Sequence, residues 1–225
     1  FVNYAATHLS FVGRDEGLGE GAQRAIAWAE KAGDDLCLGQ AWNILSLEAA
    51  YAGDLRRARA WLDRSVAAFQ RVEYAYIQAQ ALRAQAQLCQ LEGNLSQALL
   101  LIRQALDASQ QIDATNLSAE MWALEAEILL DLGDLASALA AAESAAANAT
   151  PNVFQSYLLH YRCARVWRAA NQDDRAQAAL ATAFTEYSTL LSTLSPQQRQ
   201  QSQRAIPAHR NLLADAGTFL GEEQL

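Results

Sequence analysis

The chain has 225 residues, a net charge of −8 at pH 7, and a composition that is 52% hydrophobic and 19% charged. This balance provides the apolar side chains of a packed core and excludes a disordered chain. The negative charge argues against binding of nucleic acid through a basic surface. No run of about 18 apolar residues lacks a polar interruption, so we expect no transmembrane helix and no association with a membrane.

Apolar periodicity, punctuated by Gly, Asn, Asp and Pro, predicts helices joined by short turns. Asp113 occupies a predicted cap, and Thr150-Pro151 is expected to start a helix, because proline suits the first helical turn. Residues 1–12 are interpreted as the second half of a truncated repeat. The predicted helices span residues 15–31, 35–52, 55–71, 73–92, 95–111, 114–132, 135–148, 152–170, 173–193 and 208–216.

A polar, Gln-rich segment begins at Ser195-Pro196 and is interrupted by Pro207. Leu212 and Leu213, which follow it, are expected to pack as an end cap. We therefore divide the chain into a helical repeat array over residues 1–194 and C-terminal capping helices with a mobile tail over residues 195–225.

A spacing of 40 residues organises the array. Turn glycines recur at Gly13, Gly53, Gly93 and Gly133, and the turn Asn171-Gln-Asp173 follows 38 residues later. Beyond each turn, three columns of small or apolar residues share one helix face at i, i+4 and i+7. These columns are Ala58, Ala98, Ala138 and Ala176; Leu62, Ile102, Ala142 and Leu180; and Ser65, Ala105, Ala145 and Ala183.

Each repeat is interpreted as two antiparallel helices joined by a tight turn. Gly or Asn supplies the left-handed residue that ends the first helix, and the Asp, Asn or Ser that follows can cap the second. Small side chains let the two helices approach closely. A single pair cannot bury its apolar face alone, so neighbouring pairs must stack.

The pattern resembles the tetratricopeptide repeat over roughly residues 1–190. In the first full copy it is met by Trp42, Leu45, Ser46 and Ala49, then Ala58 and Leu62. Later copies carry it as Leu82, Ala86, Cys89, Ala98 and Ile102; as Trp122, Ala126, Leu129 and Ala138; and as Cys163, Ala164, Trp167, Ala176 and Leu180. The resemblance implies an all-α, right-handed α-solenoid of antiparallel helix pairs.

These repeats are longer than the usual unit of about 34 residues, and the terminal proline of the pattern is missing. Longer repeats of this kind look like the arrays of bacterial STAND-type signalling ATPases and their relatives. In those proteins, such an array sits behind a nucleotide-binding module. Core packing is expected for Trp42 and Trp122, which occupy the tryptophan position of the pattern, whereas Trp61 is expected to be partly exposed.

The sequence predicts no catalytic site, cofactor or metal. His160 and Cys163 share a helix face, but a structural zinc ion needs four ligands and nothing nearby supplies the others. The glycines at positions 17, 19 and 21 follow no strand and precede no Lys-Ser/Thr, so they do not form a phosphate loop. The odd number of cysteines (Cys37, Cys89 and Cys163) predicts buried thiols in a reducing, cytoplasmic compartment.

In the tetratricopeptide fold, the first helix of each pair lines a concave groove. The positions that face this groove form a candidate partner-binding site. The alternative is that these polar side chains are only exposed to solvent and bind no partner. These positions are Gln40, Asn43, Arg83, Gln87, Gln90, Glu120, Glu127, Tyr161, Arg162, Arg165 and Arg168. The chaperone-tail clamp of the family needs Lys and Asn at set places, and only Asn43 comes close to that pattern.

The arginines at positions 162, 165 and 168 lie three residues apart on one predicted helix and form a cluster of positive charge in this acidic chain. Two interpretations remain open. Either they bind an acidic partner segment, with Tyr161 as a stacking surface, or they pair with Glu120, Glu127 or Asp131 of the preceding groove helix.

We expect a non-catalytic scaffold for protein interactions, the regulatory or sensor arm of a larger bacterial signalling protein. Its partners would be a protein or peptide segment and other domains of the same longer chain. The alternatives are a sensor of a small-molecule or peptide inducer that controls an attached output domain, and a self-association module. The apolar first stretch, with Phe1, Tyr4 and Phe11, predicts a surface covered by upstream sequence or by a second copy.

Overall fold

The computed structural model describes residues 12, 16–150, 153 and 155–219. This part of the chain consists of eleven α-helices and contains no strand. Together with the sequential packing of neighbouring helices, this confirms the predicted all-α solenoid. The helices are α1 (Glu16–Ala32), α2 (Asp35–Tyr51), α3 (Leu55–Phe69), α4 (Ala75–Leu91), α5 (Leu95–Gln110), α6 (Thr115–Asp131), α7 (Leu135–Ala147), α8 (Ser156–Ala169), α9 (Asp173–Ser192), α10 (Pro196–Ala205) and α11 (Pro207–Phe219).

The predicted turn recurs within each helix pair. Gly53 has a φ of +80°, and the Asp54 N–H, one residue later, donates to the Ala49 carbonyl at 2.9 Å. The Asp54 side chain also accepts from the Arg57 N–H at 3.0 Å, so one residue closes α2 and caps α3. The turns at Gly93 and Gly133 repeat both bonds. Asn171 takes the left-handed position in the fourth turn, with a φ of +57°.

All three predicted columns beyond the turns are buried against the first helix of their own pair. In the first pair, Ser65 donates to the Gly39 carbonyl at 2.7 Å, and Ser46 donates to the Ala58 carbonyl at 2.9 Å. These bonds satisfy hydroxyls that have no access to water. The small residues of the columns therefore set the short distance between the two helices of a pair.

A second column of small residues, not recognised in the sequence, lies on the first helices. Gly39, Ala79 and Ala119 are 40 residues apart, and all three are buried. A Cβ atom added at Gly39 would collide with the ring of Phe69 on α3. The first pair is therefore packed too closely for a side chain at position 39.

Two predicted boundaries were wrong. Helix α8 begins at Ser156 rather than near Pro151, after Gln155 in the left-handed region with a φ of +54°. Asp113 does not cap α6: it has a φ of +52°, and Ala114 occupies the cap position without a side-chain bond. The prediction of a partner surface at residues 1–11 lies outside the described part of the chain.

The five tryptophans are buried to different degrees. Trp167 is buried, whereas Trp42, Trp61 and Trp122 are half-buried, and Trp28 is 68% exposed on α1. Cys89 and Cys163 are buried thiols, as expected, and Cys37 is half-buried. The glycines at positions 17, 19 and 21 lie within α1. None of the helices described is long and apolar enough to cross a membrane.

The C-terminal helices join the core of the last repeats. A capping box, formed by Ser195 and Gln198, starts α10. Leu212, expected in an end cap, is fully buried on α11 and belongs to the same apolar cluster as α8 and α9. His209, also on α11, is fully buried as well. This segment is therefore an integral layer of the fold.

Candidate functional site

A cavity of about 480 Å³ lies inside the solenoid and is the candidate functional site. Its walls are formed by the first helices of all four pairs, α2, α4, α6 and α8, and by the start of α11. We call it the groove cavity. Its apolar lining includes Leu47, Leu91, Leu158, Ile206 and Pro207.

The groove cavity brings together six of the eleven residues proposed for the groove. The other five lie elsewhere: Gln40 does not line the cavity, and Glu120 lines a separate surface depression beside Tyr76. Tyr161, Arg165 and Arg168 line a second cavity of about 280 Å³ next to α11. The six that line the groove cavity are Asn43, Arg83, Gln87, Gln90, Glu127 and Arg162.

An ion-pair cluster joins α6 to α8 at the wall of the groove cavity. The Arg162 Nε donates to Glu127 at 2.9 Å, and Arg165 pairs with the other oxygen of the same carboxylate. Arg165 also lies 3.7 Å from Asp131, which accepts from Gln90 at 2.9 Å. Two of the three clustered arginines are thus bound to the preceding groove helix, which was one of the two interpretations.

The third arginine binds an acidic residue of the same chain. Arg168 lies 3.3 Å from Asp215 on α11, and Tyr161 donates to the same carboxylate at 2.8 Å. Burial, together with the hydrogen bond to Asp215 and its charge, raises the pKa of Tyr161. The ring of Phe219 lies 4.3 Å from the Arg168 guanidinium carbon. Asp215 of α11 therefore pairs with this arginine within the same chain.

Charge reversal of two arginines tests whether these pairs are structural. In the variant Arg165→Glu with Arg168→Glu, acidic side chains would face Glu127, Asp131 and Asp215. We expect a lower melting temperature and a loss of about 1 kcal/mol of stability, because partly exposed pairs are individually weak. Thermal denaturation followed by circular dichroism measures the effect.

The control for this variant is Arg56→Glu with Arg57→Glu, which makes the same charge change on two exposed arginines of α3 that form no ion pair with the described residues. Equal melting curves for the wild type and the 165/168 variant would contradict a structural role.

Arg83 differs from the other arginines of the site. Its Nε donates to the Gln80 side chain at 3.0 Å and its Nη1 to the Gln87 side chain at 3.4 Å. Both acceptors are neutral amides, and no described carboxylate lies within ion-pair distance of the guanidinium. Arg83 therefore brings an uncompensated positive charge to the cavity wall.

Tyr51 lies at the end of α2 and lines the same cavity. Removal from water raises its pKa to about 12, although the positive charges of Arg83 and Arg162 act in the opposite direction. The hydroxyl is therefore protonated at neutral pH and can donate a hydrogen bond. It forms no hydrogen bond with the described residues.

Sequence reasoning missed Tyr51, and a signal for it was present. Tyr51 follows Leu47 by four residues and Asn43 by eight, so all three share one face of α2. Asn211, on α11, was also missed, and nothing local in the sequence places it beside α2. Its position depends on how far the solenoid curls.

His160 and Cys163, considered as metal ligands, point to different helices. His160 lies 3.8 Å from Glu186 on α9, and the Cys163 thiol lies 3.6 Å from the Ala142 carbonyl on α7. Burial raises the pKa of this thiol to about 12, so it is a protonated core residue.

No protein-family model matches the chain, and no curated protein matches it in sequence. Among solved structures, the crystal structure of BtubC (BKLC) from P. vanneervenii is similar, with a TM-score of 0.62. The two proteins share 15% sequence identity, and the match covers 88% of this chain and 91% of BtubC. At this identity the likeness concerns the fold: it supports a helical-repeat architecture that extends over nearly the whole chain.

Proposed function

We propose that the chain is a non-catalytic scaffold of the tetratricopeptide type, which binds a partner segment in its concave groove. In this proposal it is the regulatory or sensor arm of a larger bacterial signalling protein. The observation that carries the proposal is the groove cavity, because side chains of four successive repeats and of α11 converge on one space. A convergent surface of this kind is how repeat proteins present a binding site.

The lining of the groove cavity is suited to a ligand. Asn43, Tyr51 and Asn211 face it without a hydrogen-bond partner among the described residues, so their donors and acceptors are available. Leu47 and Leu158 provide apolar surface beside them. Apolar walls with a few convergent polar groups are typical of binding sites.

The position of α11 favours a second candidate function, a sensor of a small-molecule or peptide inducer. Ile206, Pro207 and Asn211 line the groove cavity together with residues of α2. Its volume of about 480 Å³ falls within the usual range of small-molecule sites, roughly 300–1,000 Å³. A ligand held between α2 and α11 would link the two ends of the solenoid and could bias an attached output domain.

Filling the groove cavity tests whether the groove binds a peptide segment. Asn211 is exposed at the cavity mouth, so the variant Asn211→Trp should fold normally while the indole obstructs the space. A displayed peptide library would be selected against the wild type. We expect the selected peptides to bind Asn211→Trp at least about tenfold more weakly, a difference of about 1.4 kcal/mol.

The control for this experiment is Gln104→Trp, which adds the same side chain at an exposed position of α5, away from the groove cavity. Selected peptides that bind Asn211→Trp as tightly as the wild type would contradict binding in the groove.

A further inference from the structure

The charged groups that line the groove cavity are equal in number but unevenly paired. Two arginines, Arg83 and Arg162, and two carboxylates, Glu127 and Asp131, line it. Both carboxylates lie within ion-pair distance of arginines on α8: Arg162 and Arg165 pair with Glu127, and Arg165 also lies 3.7 Å from Asp131. Arg83 is the lining charge that has no carboxylate at ion-pair distance among the described residues.

The guanidinium of Arg83 is held in place but not saturated. The amide oxygens of Gln80 and Gln87 accept from Nε and Nη1, which fixes the plane of the group from both sides. Nη2 donates to no acceptor among the described residues. An arginine of this kind offers a preoriented planar fork, and a carboxylate is the group that matches it with two parallel hydrogen bonds.

Neutral donors of α2 line the same cavity as Arg83. Tyr51 is one of them, and its hydroxyl forms no hydrogen bond with the described residues. Because this hydroxyl stays protonated at neutral pH, it can donate a hydrogen bond to an anion. It carries no negative charge of its own that would repel the anion. Asn43, two turns earlier on α2, adds an amide that lacks a partner.

The remaining walls are apolar. Leu47, Leu158 and Ile206 line the cavity on α2, α8 and the start of α11. A ligand that filled the space would therefore meet one charged corner and several hydrocarbon surfaces.

We propose that the groove cavity binds a small organic anion, with an apolar body and one carboxylate, and that Arg83 is the ligand of the carboxylate. Tyr51 donates a second hydrogen bond to the same group, and the leucines cover the body. This inference rests on the proposed function of the groove and specifies its ligand class. Arg162 already pairs with Glu127 through its Nε, so its charge is compensated by a carboxylate, unlike that of Arg83.

Paired probes that differ only in charge test the proposal. The full chain is titrated at low salt with 4-phenylbutyrate and with 4-phenylbutanamide, and binding is followed by isothermal titration calorimetry. We expect the acid to bind at least about tenfold more tightly than the amide, because hydrogen bonds to a charged group are stronger than neutral ones. In Arg83→Gln we expect the two probes to bind equally.

Arg56→Gln is the matched control, since it removes the same charge from an exposed arginine of α3 whose side chain has no partner within the described part of the chain. It should keep the preference for the acid. The proposal is overturned if acid and amide bind the wild type equally, if neither binds, or if Arg56→Gln loses the preference as Arg83→Gln does.

A further pair of probes separates a small acid from a peptide terminus. N-acetyl-Leu-Phe with a free carboxylate is compared with its C-terminal amide. Should the peptide acid bind in the cavity while 4-phenylbutyrate does not, the small-molecule proposal is wrong and the groove function stands. Should the Asn211→Trp experiment fail while the acid preference persists, partner binding in the groove is wrong and the anion site stands.

Discussion

Acidification from pH 6.5 to pH 4 is expected to cost the folded chain about 3 kcal/mol through one buried side chain, His209. Burial lowers the pKa of this imidazole from 6.5 to about 4, against a smaller opposing effect of the Ser202 backbone. In the unfolded chain the group takes up a proton near its ordinary pKa. The unfolded state then binds more protons than the folded state, so stability falls as the pH falls through this window.

The surroundings of His209 explain why it stays neutral. Its Nε2 lies 2.7 Å from the Tyr157 hydroxyl, and its Nδ1 lies 3.0 Å from the Ser202 hydroxyl. The rings of Tyr157 and Tyr187 pack beside it, with centroids at 5.4 and 4.5 Å. These partners are neutral between pH 4 and pH 7, so no acidic side chain among the described residues in contact with the ring compensates a positive charge.

Urea unfolding at several pH values measures the effect. Carboxylates also titrate below pH 5, so the informative quantity is the difference between the wild type and His209→Gln, a side chain that stays neutral. We expect the variant to be less stable at pH 7, because its packing changes, and to depend less on pH between 6.5 and 4. Parallel curves for the wild type and His209→Gln would refute the assignment.

Enlarging a residue in the alanine column is expected to destabilise the array. Ala98 and Ala138 have no exposed surface, and each lies where the second helix of a pair meets the first. Ala98→Leu or Ala138→Leu adds three carbon atoms to a contact without free space. Overpacking of this kind costs about 1–3 kcal/mol.

Thermal melting of the two variants checks this prediction. The control is Ala140→Leu, which makes the same change at an exposed position of α7 and should be nearly neutral, because leucine is also a good helix former. An unchanged melting temperature for Ala138→Leu would show that the proposed register of the repeats is wrong.

The sequence determined the repeat because the physics of its turn is local. A left-handed residue such as Gly53, followed by a capping side chain such as Asp54, allows only a tight connection between two helices. The small residues three, four and seven positions apart then fix which face is buried. The same spacing of 40 would have revealed the column of Gly39, Ala79 and Ala119, had the first helices been compared in the same way.

The irregular turns were harder to predict. Gln155 and Asp113 take left-handed conformations that other residues occupy more often, so the start of α8 and the cap of α6 could not be read from residue type. Tertiary packing decided these boundaries against local preference.

Only the tertiary structure decided what faces the groove cavity. Asn211 and Tyr51 are 160 positions apart, and the pair formed by Asp215 and Tyr161 joins residues 54 positions apart. These contacts depend on the small rotation between each repeat and the next, summed along the solenoid, and no single repeat encodes that sum. For the same reason the sequence could place Arg162, Arg165 and Arg168 on one helix but could not assign their partners. In the folded chain the first two arginines pair with Glu127 and the third pairs with Asp215. No carboxylate among the described residues pairs with Arg83.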